Sequence, residues 1–374
     1  MEQNGQNLNP PEGIHPVPPR RHEAGELITI LSIDGGGIRG ILPAIVLREI
    51  ERLTGKPISS LFDVIAGTST GGMLALGLVT PGPSGQPKFS AEQVLEFYTK
   101  RGREIFPEFS LKAWRAARRG GVKAPMFQKV GAAVLPRRYG NARYFPGGLE
   151  RVLTDAYGEL RLSQALKTVV IPTYDWKAGR ALVFNSREAR EGSGPNPRMR
   201  ELARGTTAAP TYFAPLRLHL EDGREVALID GGVAANNPVS VAYYEALLLE
   251  EKEKQDLDML VVSLGTGRPP EEVPTYEQLW SRGWLSLGMG MLSVVFDGTS
   301  ELSDELMRKV ITKKEPGSRY FRYQTDIRGG CSLHLDDASP RNIRNLVRLG
   351  EHMVAENKDS FAILAEMLLR EFRA

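Results

Sequence analysis

The sequence predicts an α/β fold around a mainly parallel sheet, and three observations lead to that prediction. Short runs of apolar and β-branched residues recur along the 374-residue chain, and helical patterns lie between most of them. Three of these runs are followed directly by a glycine-rich turn. Strands that alternate with helices form parallel sheets, because each helix returns the chain to the edge where the preceding strand began.

The predicted elements follow in order from residue 27. Residues 27–33 and 61–66 are almost wholly apolar, which predicts buried strands, and each run leads into a glycine cluster. Similar runs predict further strands over 168–174, 181–184, 226–229 and 259–264. Apolar residues at helical spacing predict helices over 42–53, 73–78, 91–100 and 239–254. After Pro340 the same spacing predicts one or two closing amphipathic helices.

A basic stretch occupies about residues 98–143. It contains twelve Lys or Arg residues and two Glu residues, and it also carries Phe106, Phe109, Trp114 and Phe127. Basic and aromatic residues mixed in this way suit an anionic lipid surface. The alternative interpretation is a solvated insertion whose aromatic side chains pack inward.

Composition excludes several classes of protein. The net charge of +3 does not favour nucleic acid as a partner. The one cysteine, Cys331, excludes an intrachain disulfide framework, and the five histidines show no metal-ligand spacing, so we expect no metal. No signal peptide is recognisable, and residues 284–296, the most apolar later stretch, are too short to cross a bilayer. We therefore expect a cytoplasmic protein.

The first glycine-rich turn, residues 34–40, reads Asp-Gly-Gly-Gly-Ile-Arg-Gly. Its glycine spacing matches a dinucleotide-binding motif and so suggests an NAD-dependent dehydrogenase, but that motif needs an acidic residue at the end of the next strand. The nearest candidate, Asp63, lies inside the strand predicted over 61–66. Alternatively, the glycines let backbone N–H groups converge on a negative oxygen, with Arg39 nearby. A tight turn without a binding role is the third interpretation.

The second turn contains a G-x-S-x-G motif, in which Gly67 and Gly71 flank Ser69. A nucleophilic serine projects from a sharp turn, so its neighbours must be small enough for the strand and the helix to approach each other. The two glycines meet this need between a predicted strand and a predicted helix, which predicts Ser69 as a nucleophile. The alternative is that Ser69 only caps the helix that follows.

The third turn supplies a candidate base, because no histidine stands at a convincing strand end. Asp230 follows the strand predicted over 226–229, and the adjacent Gly231 and Gly232 leave its oxygens accessible. We predict that Asp230 accepts the proton of Ser69 in a two-residue arrangement. The alternative is an Asp that caps a turn before a helix. An ordinary Asp pKa of about 4 would make the activity tolerant of mild acid.

Together these motifs resemble the patatin family of lipid acyl hydrolases. Residues 34–40, 67–71 and 230–232 carry the resemblance, and residues 207–213 and 263–267 also look like patatin segments. The five segments stand in the same order as in the family. The resemblance therefore covers about residues 27–270.

The resemblance implies both a fold and a site. The fold is a three-layer α/β/α sandwich with a mainly parallel central sheet. The nucleophile is Ser69, its only catalytic partner is Asp230, and Gly67 and Gly71 form the nucleophile elbow. The residues implied for the oxyanion hole are Gly35, Gly36, Gly37 and Arg39.

We expect the chain to divide into three parts. A catalytic domain over 27–270 carries the basic insertion at about 98–143. A flexible Pro-rich tail over 1–26 precedes it, as expected from composition. A mainly helical region over 271–374 is expected to pack on the same domain.

The implied activity is that of a phospholipase A or lysophospholipase-type esterase, which releases fatty acids from membrane lipids. We expect neither a cofactor nor a metal, and only a transient contact between a cytoplasmic protein and the membrane surface. The alternative is a ligand-gated lipase effector, which stays silent until a nucleotide second messenger, another small-molecule activator or a protein partner binds. The sequence specifies neither the lipid head group nor the oligomeric state.

Overall fold

The computed structural model describes residues 27–107, 142–249, 258–270, 284–314 and 319–370. The tail predicted over 1–26 lies outside the described residues, and so do residues 108–141, the larger part of the predicted basic stretch. Within the described ranges, no helix is both long enough and apolar enough to span a membrane.

Strands and helices alternate through the described part of the chain. The strands are β1 Leu27–Ile33, β2 Val64–Gly67, β3 Thr168–Asp175, β4 Arg180–Asn185, β5 Leu216–His219, β6 Glu225–Asp230, β7 Asp258–Leu264 and β8 Tyr320–Tyr323. The helices of the first half are α1 Ile41–Thr54, α2 Ile58–Leu61, α3 Thr70–Leu78, α4 Ala91–Thr99, α5 Gly102–Ile105, α6 Gly147–Tyr157 and α7 Ser186–Glu191. The later helices are α8 Met199–Thr206, α9 Gly232–Ala235, α10 Val239–Leu248, α11 Trp284–Lys314, α12 Pro340–Glu356 and α13 Lys358–Arg370.

All eight strands form one mixed sheet. Its order is β5-β6-β3-β2-β1-β7-β8, and β4 pairs with β3 beside this path. The pairs β1–β2, β1–β7, β2–β3 and β7–β8 are parallel, whereas the pairs that involve β4, β5 and β6 are antiparallel. The predicted mainly parallel sheet is therefore confirmed, with an antiparallel part at one end.

Helices cover both faces of this sheet. In β1, Ile28 and Ile30 pack with residues of α10 and α11, whereas Leu31 and Ile33 pack on the other face with residues of α1 and α3. This division follows from the alternation of side chains along a strand. Helices α12 and α13 pack against α1. The three-layer α/β/α arrangement is thus confirmed.

Several boundaries differ from the predictions. The strand predicted over 61–66 starts at Val64, because Asp63 turns its carboxylate back to accept the N–H and the hydroxyl of Thr29 at 3.0 and 2.8 Å. The helix predicted over 239–254 ends at Leu248, and residues 250–254 of that prediction lie outside the described part of the chain. Strands β5 and β8 were not predicted as strands, because alternation over only four or five residues is a weak signal.

One edge of β3 brings two strand ends together. Strand β2 is parallel to β3 and pairs with residues 168–170, whereas β6 is antiparallel and pairs with residues 173–175. Both lie on the same edge, since β4 occupies the opposite edge along residues 170–175. Strands β2 and β6 therefore run towards each other, and their carboxyl ends meet beside the middle of β3.

The junction explains a proline in a central strand. Ile171 and Pro172 lie between the residues paired with β2 and those paired with β6. A proline has no N–H to donate, so it would interrupt the ladder if a strand lay opposite. Here the Pro172 carbonyl oxygen instead accepts the hydroxyl of Thr206 at 2.7 Å. The proline thus occupies the one place on this edge where no ladder bond is lost.

Candidate active site

Ser69 stands between β2 and α3 with an unusual backbone. Its φ of 55° and ψ of −120° lie outside the regions that non-glycine residues normally occupy. Its N–H donates to Thr206 Oγ1 at 3.0 Å, so the hydroxyl group held by Pro172 also holds this turn. A strained backbone that its neighbours hold in place is typical of a functional site. A serine at such a turn between a strand and a helix is typical of a nucleophile elbow.

The glycines predicted to flank this turn are required by space. A Cβ on Gly67 would overlap the carbonyl group of Gly71, and a Cβ on Gly71 would overlap the carbonyl oxygen of Ile33. Both obstacles are backbone atoms, which cannot move aside without displacing a strand or a helix. The close approach of β2, α3 and β1 therefore depends on the absence of these two side chains.

Gly71→Ala should lower the free energy of unfolding by about 3 kcal/mol, because the new methyl group would push α3 away from β1. Urea unfolding followed by circular dichroism measures this change. Gly298→Ala is the matched control, since Gly298 lies in α11 and, apart from its own helix backbone, no described residue has an atom within 4 Å of the added Cβ. The control should be unchanged or more stable by up to about 1 kcal/mol. Equal stability of the two variants would contradict the packing argument.

Ser69 and Asp230 meet at the junction of β2 and β6. Ser69 Oγ donates to Asp230 Oδ2 at 2.6 Å, and the N–H of Gly232 donates to Asp230 Oδ1 at 2.8 Å. Asp230 is fully buried. Burial raises its pKa to about 7, because the charged carboxylate loses more hydration than these two hydrogen bonds replace. The predicted base is therefore far more basic than a free aspartate.

This raised pKa removes the premise of the acid tolerance expected from the sequence. That expectation used the ordinary pKa of an exposed Asp, about 4, and neglected burial. With a pKa of about 7, Asp230 takes up a proton as the pH falls through neutrality. A protonated carboxyl group cannot accept a proton from Ser69, so mild acid should inhibit any reaction that uses Asp230 as a base.

The glycine loop after β1 packs directly against Ser69. An added Cβ on Gly35 would lie 3.2 Å from Ser69 Cβ. The Gly35 N–H donates to the carbonyl oxygen of Asn236 at 3.0 Å. Among the described residues, neither the Gly36 N–H nor the Gly37 N–H has a hydrogen-bond acceptor. Of the three N–H groups implied for an oxyanion hole, those of Gly36 and Gly37 are therefore open to a ligand, whereas that of Gly35 is already hydrogen-bonded to Asn236.

Arg39 lies in the short 3-10 turn Gly37–Gly40 that follows the glycine loop. The residue is only 7% exposed, and its guanidinium forms no hydrogen bond or ion pair with any described residue. Burial lowers its pKa, and the nearby groups of Asp297 and Tyr212 offset part of this effect. Arg39 thus places a buried, incompletely compensated positive charge close to the glycine loop.

A largely apolar cavity lies over Ser69 and Asp230. Its polar lining is formed by Gly37, Ser69, Thr70, Tyr98, Thr207, Tyr212 and Asp230. The apolar part of its wall is formed by Met73, Ile105, Phe106, Leu149, Phe213, Phe296 and Leu335. Side chains of this kind suit a hydrocarbon chain, because they leave no buried polar group without a partner when the chain enters.

The residues beneath the loop include a pair that the sequence did not reveal. Asp34 Oδ1 and Oδ2 accept two hydrogen bonds from Arg322 at 2.9 and 2.6 Å, and Arg322 also donates to Ser263 Oγ at 2.9 Å. Both charged side chains are more than nine-tenths buried. The ion pair connects the first residue of the glycine loop with β8, which was not predicted, so no local signal could have identified Arg322.

The position of Asp63 tests the dinucleotide interpretation of the glycine loop. Asp63, the nearest acidic residue for a dinucleotide, precedes β2 and is bound to Thr29 rather than standing at a carboxyl end of the sheet. In the described ranges, no three His, Cys, Asp or Glu side chains come together as metal ligands. The position of Asp63 does not support the dehydrogenase interpretation.

The fold and the three turns define an α/β protein with a glycine-flanked serine at the carboxyl edge of its sheet. Residues 31–243 match the model of the family described as "Patatin-like phospholipase". The chain belongs to this patatin-like phospholipase family.

Three plant proteins are similar to this chain over most of their length. Patatin-like protein 2 of Oryza sativa subsp. indica is 30% identical, over 93% of this chain and 88% of that protein. Patatin-like protein 1 of the same subspecies is 33% identical, over 89% and 82%. Patatin-2-Kuras 4 of Solanum tuberosum is 31% identical, over 92% of each chain.

Proposed function

We propose that this protein is a lipid acyl hydrolase that cleaves the ester bonds of membrane phospholipids, with Ser69 as nucleophile and Asp230 as base. One observation carries the proposal. The Ser69 hydroxyl donates at 2.6 Å to a buried carboxylate, at the base of an apolar cavity. A carboxylate with a pKa of about 7 can remove a proton from a serine at neutral pH. Membership of the family supports a lipid as substrate.

In the first half of the reaction, Ser69 Oγ attacks the ester carbonyl carbon while Asp230 takes the hydroxyl proton. The tetrahedral intermediate collapses, the bond to the lysolipid or glycerol oxygen breaks, and Asp230 returns the proton to that oxygen. In the second half, Asp230 takes a proton from water as the water attacks the acyl-enzyme. Fatty acid leaves, and Ser69 recovers its proton from Asp230.

The oxyanion of each tetrahedral intermediate is stabilised by the N–H groups of Gly36 and Gly37, which have no acceptor among the described residues. Each donor of this type contributes on the order of a hundred- to a thousand-fold in rate. Arg39 adds a positive charge near the same loop. Gly35 holds the loop in place through Asn236 rather than binding the oxyanion.

Incubation of the purified protein with mixed phospholipid vesicles, followed by mass spectrometry of the products, tests this proposal. We expect equal amounts of free fatty acid and lysophospholipid at first, and no product from Ser69→Ala. A folded wild-type protein that cleaves neither vesicle lipid nor a soluble short-chain ester would contradict the proposal as stated. Activity that then appears on adding a cyclic nucleotide would support the ligand-gated effector instead.

The pH dependence provides a separate prediction. Because Asp230 acts as a base only when ionised, kcat/KM should fall about tenfold per pH unit below pH 7 and level off above it. The rate should be measured with a soluble uncharged ester, whose own ionisation does not change in this range. Circular dichroism at each pH controls for unfolding. A rate that stays constant from about pH 5 to about pH 8 would exclude Asp230, with this pKa, as the base.

A further inference from the structure

The antiparallel end of the sheet projects beyond the level of Ser69 and Asp230. Asp230 pairs with Thr173, and β3 continues for two residues past that point before it turns into β4. The first residue of the turn, Trp176, therefore lies three residues further out than Thr173, a distance of roughly 10 Å along the strand. The hairpin therefore extends from the same edge of the sheet as the carboxyl ends of the parallel strands.

The tip of this hairpin, residues 176–179 together with Arg180, has an unusual composition for an exposed turn. Trp176 is 67% exposed, and the following residues of the tip are exposed as well. Two of them, Lys177 and Arg180, are basic, and the tip contains no acidic residue. A large aromatic side chain left in water is informative because most such side chains are buried.

The tip is held in a fixed conformation. Asp175 Oδ1 accepts the N–H groups of Lys177 and Ala227 at 3.0 and 3.1 Å. The Trp176 N–H donates to the Ala227 carbonyl oxygen at 2.9 Å, and the Gly179 N–H donates to the Asp175 carbonyl oxygen at 2.9 Å. The turn that carries the exposed indole is hydrogen-bonded to β6. Little conformational entropy is therefore lost when the indole contacts a partner.

The charges of the tip are only partly compensated. Lys177 Nζ lies 3.4 Å from Glu225 Oε1. Arg180 makes no ion pair with any residue that the structure describes. A basic side chain beside an exposed tryptophan suits the surface of a bilayer. The indole prefers the membrane–water interface, and the cation prefers anionic head groups.

We infer that the hairpin tip formed by residues 176–180 is a membrane-docking element, and that its partner is the surface of a phospholipid bilayer containing anionic lipid. Docking through Trp176 turns the edge that carries Ser69 towards the membrane. This inference rests on the proposed lipid hydrolysis for its biological meaning, although the docking itself does not require catalysis.

Co-sedimentation with vesicles tests the inference in the Ser69→Ala background, so that no lipid is consumed. With vesicles of phosphatidylcholine mixed with phosphatidylglycerol, Trp176→Ala should bind about tenfold more weakly. Arg180→Gln should bind about fivefold more weakly to these vesicles and equally well to vesicles of phosphatidylcholine alone. Tyr244→Ala is the matched control, since Tyr244 is 61% exposed on α10, which packs against β1 and β2.

A second measurement separates docking from catalysis. In the active protein, Trp176→Ala should leave hydrolysis of a soluble short-chain ester unchanged and lower hydrolysis of vesicle lipid. Vesicle binding that is unaltered by Trp176→Ala, or lowered as much by Tyr244→Ala, would overturn the inference. A wild-type protein that binds vesicles through Trp176 but cleaves no ester would overturn the proposed function and leave the docking surface standing.

Discussion

Asp230→Asn should lower kcat on an ester substrate by about 10⁴-fold, because the amide that replaces the carboxylate cannot accept the proton of Ser69. The substitution preserves the volume of a fully buried side chain at the end of β6. The new amide side chain can still accept one hydrogen bond from Ser69 Oγ or from Gly232, so the fold should persist. The loss should therefore fall on kcat rather than on KM.

The same substitution should stabilise the protein at high pH. The folded-state pKa of Asp230 is raised from 3.8 to about 7, so ionisation costs more in the folded state than in the unfolded state. The wild-type protein thus loses stability as the pH rises from about 4 to about 7, by on the order of 4 kcal/mol. Denaturant unfolding should show Asp230→Asn to be the more stable protein above pH 7, with no difference below about pH 4.

Two serine variants complete the experiment. Ser69→Ala should lose as much activity as Asp230→Asn or more, and the double variant should lose no more than Ser69→Ala alone, because the two groups act as a unit. Ser32→Ala is the control, since Ser32 is buried on the adjacent strand β1 and donates only to Asn237 Oδ1 at 3.1 Å. Substantial kcat in Asp230→Asn would show that another group is the base.

Arg322→Met should lower the free energy of unfolding by about 3–5 kcal/mol, because it leaves the buried carboxylate of Asp34 without its partner. The Asp34 and Arg322 side chains are only 2% and 8% exposed, so water cannot replace the guanidinium without a rearrangement. Asp34 begins the glycine loop, and any movement of its carboxylate towards solvent would displace Gly36 and Gly37. We therefore expect a lower kcat as well as a lower stability.

The pH dependence of the stability that Arg322→Met loses identifies the cause of that loss. Burial raises the pKa of Asp34, Arg322 opposes that effect, and removal of Arg322 should raise the pKa further. The destabilisation should then be fully present at high pH and shrink as the pH falls towards the unfolded-state pKa, where Asp34 is neutral in both states. Denaturant unfolding at about pH 5 and about pH 8 measures this difference.

A surface ion pair provides the control for charge alone. Arg328 lies 3.1 Å from Glu356, and both side chains are about half exposed, so Arg328→Met should cost less than about 1 kcal/mol. The double variant Asp34→Asn/Arg322→Met should recover part of the stability that Arg322→Met loses, since no unpaired charge stays buried. Full stability of Arg322→Met would mean that the pair does not hold the loop.

The fold could be predicted from the sequence where its signals are local. Strands β1 and β7 are seven-residue apolar runs, and the amphipathic pattern after Pro340 spans whole helices. Strand β8 has four residues, one of which is Arg322, so neither its length nor its polarity indicates a buried strand. Its place beside β7 depends on contacts with residues far away in the chain, which no short window of sequence contains.

The candidate site was predictable in its residue types but not in its electrostatics. The glycine spacing pointed to Ser69, and the position after a strand pointed to Asp230. Whether the Gly35 N–H is free to bind a ligand depends on the carbonyl oxygen of Asn236, about 200 residues further along the chain. The pKa of Asp230 depends on how completely the fold removes water from it, and the sequence pattern contains no measure of that burial.

The meeting of β2 and β6 on one edge of β3 makes the distance between Ser69 and Asp230 independent of the length of the chain between them. Ser69 and Asp230 are 161 positions apart, yet their distance is set by a strand that pairs with both β2 and β6. Phe106 and Tyr144, which flank residues 108–141, lie with ring centroids 5.8 Å apart. Phe106 and Tyr144 therefore occupy neighbouring points of the fold, and the strands of the sheet set the distance from Ser69 to Asp230.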